Sequence, residues 1–148
     1  MSGAGKTTAL DGLARRGFAT VDTDDDGWIH RVDGEPMWRE ARIDELLGRS
    51  REAALFVQGT VVNQGVFYPR FDAIVLLSAP TAVIFDRLAR RTNNTFGKTE
   101  HQRAQIARDI AEVEPLLRAA ATHEIVTTRA PDEVVDALVY VALTSVSP

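Results

Sequence analysis

The residues best suited to chemistry stand at the start of the chain. Ser2-Gly3-Ala4-Gly5-Lys6-Thr7-Thr8 leads straight into an amphipathic segment. Small residues let a backbone wrap an anion. Successive N–H groups then point inward, and the N-terminus of the following helix adds partial positive charge. Gly3, Ala4, Gly5, Lys6, Thr7 and Thr8 are the candidate phosphate ligands. In this arrangement Lys6 reaches the β- and γ-phosphates of a nucleotide and the Thr7 hydroxyl binds Mg²⁺. The blander reading is a glycine-rich tail that happens to precede a helix, but Gly-Lys-Thr at a helix start is a specific combination. With Gly5 as the second glycine of G-x-x-x-x-G-K-[ST], the first falls before Met1. The strand that ordinarily feeds such a loop would precede it too. About five buried apolar side chains are worth on the order of 10 kcal/mol, comparable with a whole domain's stability of roughly 5–15 kcal/mol. The expectation is a natural start roughly ten residues upstream; an intact native mass of 16.2 kDa would contradict it.

A second chemical group is Asp22-Thr23-Asp24, at the end of the short apolar run Phe18 to Val21. A carboxylate beside an acceptor hydroxyl orients it and receives its proton as the bond to phosphorus forms. Ligands of parallel sheets bind at strand C-terminal ends, which favours Asp22 and Asp24. Asp25 and Asp26 read as a solvated turn.

These groups need a scaffold, and the 148 residues are enough for one domain with a real core. Residues 1–148 read as a single unit, without repeats or a long linker. Apolar positions in Lys6 to Arg16 share one helical face, and Gly17 is a natural C-cap. Ala53 to Val57, Ala73 to Leu77 and His123 to Thr127 read as buried strands. Pro36 to Arg49 reads as a helix, as does the stretch from Ser78 and Pro80 to Arg91. Thr92 to Lys98 is a polar loop. Thr99 and Gln102 have capping-box spacing for a long helix that Pro115 kinks or divides. Pro131 opens a last helix to about Thr144. Alternating helices and short buried strands imply an α/β fold, a parallel sheet covered on both faces.

Composition narrows the classes further. There are no cysteines, which excludes disulfides, a thiol nucleophile and cysteine-based metal sites. The net charge of -4 has the wrong sign for nucleic acid or anionic lipid. No apolar run approaches the ~20 residues that span a bilayer, so a cytoplasmic protein without membrane or nucleic-acid partners is expected. His30, His101 and His123 show no metal spacing, and Ser2, Ser50 and Ser78 lack the context of a hydrolase triad.

On the phosphate loop, the Asp-x-Asp and the strand–helix alternation, the chain resembles the small P-loop kinases: adenylate, shikimate and gluconate kinases, and more closely a group of actinobacterial-type kinase-like ATP-binding proteins. The resemblance covers nearly the whole chain from Ser2. It implies a three-layer fold with parallel strand order 2-3-1-4-5, in which Phe18–Val21, Ala53–Val57, Ala73–Leu77 and His123–Thr127 are strands 2, 3, 4 and 5. Strand 1 is truncated, so the sheet should carry a hole or a neighbour filling it. By resemblance Asp22 lies near the Mg²⁺ water shell and Asp24 on the acceptor hydroxyl. Arg87 and Arg91, four apart on one helical face, contact adenine and phosphate. A lid at about 92–103, with Asn93, Asn94, Gly97, Lys98 and Arg103, closes over the triphosphate. Thr128-Arg129-Ala130-Pro131 borders the adenine. The segment from Gly59 to Arg70 matches an acceptor loop, in which Asn63, Gln64 and Arg70 are candidate substrate ligands, although a loop-closing turn explains it equally. Trp28, Trp38 and Arg39 are candidates to wall the acceptor pocket, and core packing suits either Trp equally. The leading expectation is Mg²⁺-dependent transfer of the ATP γ-phosphoryl group to a small hydroxylated or phosphorylated metabolite, with Lys6, Asp24 and Arg91 as catalytic groups. The alternative is a nucleotide-binding module without turnover, a sensor or a regulatory subunit. The sequence names neither the acceptor nor the oligomeric state.

Overall fold

Ala9, Leu10 and Leu13 recur on one face of Lys6–Arg15 and are buried there, so this stretch folds as helix α1. Its end follows the sequence. The Gly17 N–H donates to the Ala14 carbonyl at 3.0 Å and the Phe18 N–H to the Leu13 carbonyl at 3.1 Å. Those two bonds satisfy carbonyls that the last turn leaves open. The computed structural model describes residues 4–25, 27–90 and 99–145.

After α1 the order is β1 (Ala19–Asp22), β2 (Ile29–Val32), β3 (Glu35–Trp38), α2 (Glu40–Gly48) and β4 (Leu55–Gln58). A 3₁₀ helix covers Gln64–Arg70. Then come β5 (Val75–Ser78), α3 (Thr81–Arg90), α4 (Glu100–Glu112), α5 (Glu114–Ala120), β6 (His123–Val126) and α6 (Pro131–Ser145). The capping box is present: the Gln102 N–H donates to Thr99 Oγ1 at 3.2 Å. Pro115 lies in the first turn of α5 and so divides the two helices.

Pro36 to Arg49 is not one helix. Its first residues belong to β3, which pairs antiparallel with β2, Ile29 opposite Trp38 and Val32 opposite Glu35. The cause is the two-residue turn Asp33-Gly34, with φ of 53° and 81°. Two successive positive φ values twist the chain back on itself in a hairpin. Pro36 is tolerated because a two-stranded ribbon consists of edges.

The parallel strands form two pairs. β1 lies beside β4, from Ala19 opposite Leu55 to Asp22 opposite Gln58. β5 lies beside β6, from Val75 opposite His123 to Ser78 opposite Val126. No strand of the described residues joins the pairs. The expected hole in the sheet is therefore there, flanked by the pairs that match strands 2–3 and 4–5. Three apolar clusters hold the layers. Leu10 and Leu13 of α1 and Val134, Val135 and Leu138 of α6 cover one face against Ile125, with Phe56, Val75 and Leu77 packed on them. Trp38, Ile43, Val61 and Phe67 form a second cluster against Val57. Ile84, Leu88 and Ile106 join α3 to α4.

Candidate active site

The candidate phosphate turn stands at the opening of α1. Ala4 is buried at 2% exposure, and Gly5 has φ 98°, a left-handed conformation that side chains strain. Gly5 thereby turns the chain into the helix, and its carbonyl accepts from the Ala9 N–H at 3.0 Å. Lys6 is half-buried, whereas Thr7 and Thr8 are exposed at the helix N-terminus. Gly5, at the N-cap, has no side chain to cap this helix end. Among the described residues no side chain takes its first N–H groups, which suit an anion. Gly3 lies outside the described residues.

Thr127, just past β6, fixes this turn from behind. Its Oγ1 donates to the Ala4 carbonyl at 2.8 Å and lies 3.2 Å from the Ser78 carbonyl. Arg87 Nη1 in turn donates to Thr127 Oγ1 at 2.9 Å, and Nη2 donates to the Thr127 carbonyl. Arg87 thus stands one residue behind the phosphate turn, connected to it through a buried hydroxyl. Sequence reasoning missed Thr127, because only the parallel pairing of β5 with β6 brings it to Ala4. Arg129 is exposed two residues further on. Arg91 and the lid residues Asn93, Asn94, Gly97 and Lys98 lie outside the described residues. Arg103, on α4, stacks its guanidinium 5.1 Å from the Phe85 ring centroid.

Across the gap, the acidic pair is organised by a residue the sequence did not single out. Asp22 Oδ1 accepts from the Asp24 N–H at 2.9 Å, an Asx turn. Gln58 Nε2, from the facing end of β4, donates to Asp22 Oδ1 and reaches Asp24 Oδ2 at 3.3 Å. One amide thus holds both carboxylates at the C-terminal ends of β1 and β4. Between them Thr23 is fully buried: its Oγ1 donates to the Gln58 carbonyl at 2.8 Å and accepts from Trp38 Nε1 at 3.0 Å. Gly59 makes this approach possible, since a Cβ there would stand 2.1 Å from Thr23 Oγ1. Trp38 is consequently a core residue, and Trp28 lies under the Arg42 guanidinium, 4.0 Å from its centroid.

The acceptor loop is tied internally. Asn63 accepts from the Trp38 N–H at 2.8 Å and donates to the Trp38 carbonyl at 3.0 Å. Gln64 accepts from the Val61 N–H at 2.8 Å and donates to the Tyr68 hydroxyl. Arg70 pairs with the Asp44 carboxylate, and a second nitrogen lies 3.3 Å from the Asp44 carbonyl. These three side chains bind protein groups. Among the described residues no cluster of three His, Asp or Glu could hold a metal ion by itself. The groups present fit a Mg²⁺ ion that is held mainly by phosphate and water: Thr7 offers one hydroxyl, and Asp22 Oδ2 meets no protein donor among the described residues.

No family model matches the sequence, and no curated protein matches it. Among solved structures the chain is similar to the shikimate kinase of Acinetobacter baumannii, solved in complex with shikimate. The two are 21% identical, the match covers 96% of this chain and 88% of that one, and the TM-score is 0.65. The likeness shows the fold alone, an α/β arrangement like that of the solved shikimate kinase. No helix of the described residues is long and apolar enough to cross a membrane.

Proposed function

We propose that this protein is an ATP-dependent kinase of a small metabolite, with the left-handed turn at Gly5 opening α1 as the observation that carries the reading. That turn presents Lys6, Thr7 and helix N–H groups that no described side chain caps, a combination suited to a triphosphate. Lys6 faces the β- and γ-phosphates and spreads the charge that develops in transfer. Thr7 and Asp22 would hold a Mg²⁺ ion, which would supply neutralisation of the phosphate charge. Asp24, exposed beside Asp22, orients the acceptor hydroxyl and takes its proton. Arg87 buttresses the turn through Thr127, while Arg91 and Arg129 are the candidate contacts to phosphate and adenine. The acceptor is a small hydroxylated or phosphorylated compound, and the site is read as cytoplasmic.

A second reading, nucleotide binding without turnover, is favoured by one observation: Asn63, Gln64 and Arg70 already bond within the protein. ADP release with and without a panel of polyols, sugar acids and nucleotides separates the two. Acceptor-dependent release is expected, and Lys6→Ala is expected to abolish it with the circular dichroism unchanged. Tight ATP binding without release on any acceptor establishes the second reading. Wild-type turnover in Lys6→Ala overturns the phosphate-turn assignment itself.

A further inference from the structure

Gln58 ends β4 directly opposite Asp22 on β1. Its backbone is fastened to the acidic turn. The Gln58 carbonyl accepts from the Thr23 N–H at 3.1 Å and from Thr23 Oγ1 at 2.8 Å. Its side chain returns to the residues on either side of Thr23, where Nε2 donates to Asp22 Oδ1 and lies 3.3 Å from Asp24 Oδ2. Gln58 thus grips Asp22-Thr23-Asp24 twice, once through the main chain and once through the amide. The residue is 9% exposed, and among the described residues its Oε1 meets no donor. A buried polar atom left unmatched is costly. Turning the amide over brings no relief, because a carbonyl oxygen would then face two carboxylate oxygens. The carboxylates therefore dictate how the amide lies.

Each carboxylate gives one oxygen to this arrangement. Asp22 Oδ1 accepts from Nε2 and from the Asp24 N–H, and Asp24 Oδ2 faces Nε2. Among the described residues no donor meets Asp22 Oδ2 or Asp24 Oδ1. The amide therefore sorts four oxygens into two that are held and two that are offered. A lysine or arginine would also keep two like charges together, but it would offset the negative charge that a metal ion and an acceptor proton need. An amide does so through two N–H groups and stays neutral.

We propose that Gln58 is a positioning residue for phosphoryl transfer: by occupying one oxygen of each carboxylate it fixes the rotamers of both, so that Asp22 Oδ2 serves the metal side and Asp24 Oδ1 the acceptor hydroxyl at a constant separation. The inference rests on the kinase reading and deepens it. Gln58 touches neither acceptor nor metal and acts through the two aspartates. A base must meet its hydroxyl within about 2.6–3.2 Å. A misplacement of about 1 Å costs on the order of 100-fold in rate. A carboxylate that changes its χ1 well carries its oxygens farther than that. Two donors from one amide are what hold Asp24 beside Asp22 in a single well, despite their like charge.

The test uses the full chain with two substitutions. Gln58→Met keeps the length and loses both N–H groups; Gln58→Asn keeps the amide and shortens its reach by one methylene. Three-bond NMR couplings to Cγ report χ1 of Asp22 and Asp24 without nucleotide. Amide exchange along β1 and β4 reports the strands, and ADP release with the acceptor panel reports turnover. The parent is expected to hold each aspartate in one rotamer. In both variants Asp24 averages over two or more, and the strand amides keep their protection. Turnover falls about 30-fold or more, with the KM for ATP within about twofold of the parent. A single Asp24 rotamer retained in Gln58→Met overturns the proposal, and Gln58→Asn decides in the same way should the first variant not fold. Averaging already present in the parent overturns it too. So does equal loosening of both strands, or a rise in KM that matches the fall in turnover, since either makes Gln58 structural only. No ADP release from the parent on any acceptor defeats the kinase reading and the transfer role with it. That failure is told apart by rotamers fixed in the parent and averaged in the variants.

Discussion

The two strand pairs treat polar groups in opposite ways. At the end of β1 and β4, polar atoms meet as side chains: Gln58 holds Asp22 and Asp24, and Asp24 stays exposed. At the end of β5 and β6, side chains meet mainly to hold backbone: Thr127 donates to the Ala4 carbonyl, and Arg87 donates to both the Thr127 hydroxyl and its carbonyl. The first pair presents charge that can act on a ligand. The second fixes the shape of a turn. Between them lies an apolar cavity crossed by no strand hydrogen bond among the described residues. Each half of the site is therefore organised locally, and their relative placement rests on helices α1 and α6, which pack on each other and on the strands.

That contrast can be broken from either side. The largest effect belongs to the acidic pair. Asp24→Asn should keep the Gln58 contact yet lower turnover about 100-fold or more, with ATP affinity nearly unchanged. Steady-state kinetics beside equilibrium ATP titration checks this; equal loss of both would move Asp24 from acceptor chemistry to metal holding or structure. Thr127→Val should do the reverse. It removes the buried hydroxyl that donates to the Ala4 carbonyl and accepts from Arg87, a cost of about 1–3 kcal/mol read by urea unfolding. ATP affinity should fall while turnover at saturating ATP is largely kept. If Thr127→Val instead mimics Asp24→Asn, the two halves are not separate.

The smallest effect sharpens the second pair. Glu124 on β6 accepts from Arg118 Nε at 2.7 Å and from Ser78 Oγ at 2.7 Å. The Arg118 and Ser78 bonds hold its carboxyl below its ordinary value of 4.5, and the Arg118 guanidinium is raised in turn. A carboxyl lowered on folding stabilises the protein above its unfolded value and loses that contribution as pH falls through the folded one. Glu124→Gln should thus be less stable than the parent at neutral pH, with the difference closing below pH 4.5. Urea midpoints at neutral pH and near pH 3 measure it; a gap independent of pH would remove the charge from the account.

Much of the fold could be read along the chain. The four parallel strands lie within two residues of their expected places, and the Gly17, Thr99 and Pro115 signals mark real boundaries. Such signals act within a few residues, so the sequence carries them openly. The β2–β3 hairpin was also legible, in Asp33-Gly34, but the helical spacing of Met37, Ile43, Leu46 and Leu47 masks it. Of the site, the phosphate turn and the Asp-x-Asp stand out by residue type. Gln58 and Thr127 do not: an ordinary glutamine and threonine gain their roles from partners 36 and 123 residues away. Asn63 and Gln64 show the converse, since amides that suit a ligand equally suit the backbone beside them.

By itself, then, the order of residues determined the local pieces: a glycine turn feeding a helix, carboxylates ending a strand, apolar runs between helices. Backbone preference and side-chain spacing act over a few residues and need no partner. Only the tertiary structure decided which polar groups meet, that one amide joins both carboxylates, that a threonine anchors the phosphate turn, and that two parallel pairs face each other across an apolar space. Those outcomes depend on strand register and helix packing, which bring distant residues within hydrogen-bond reach.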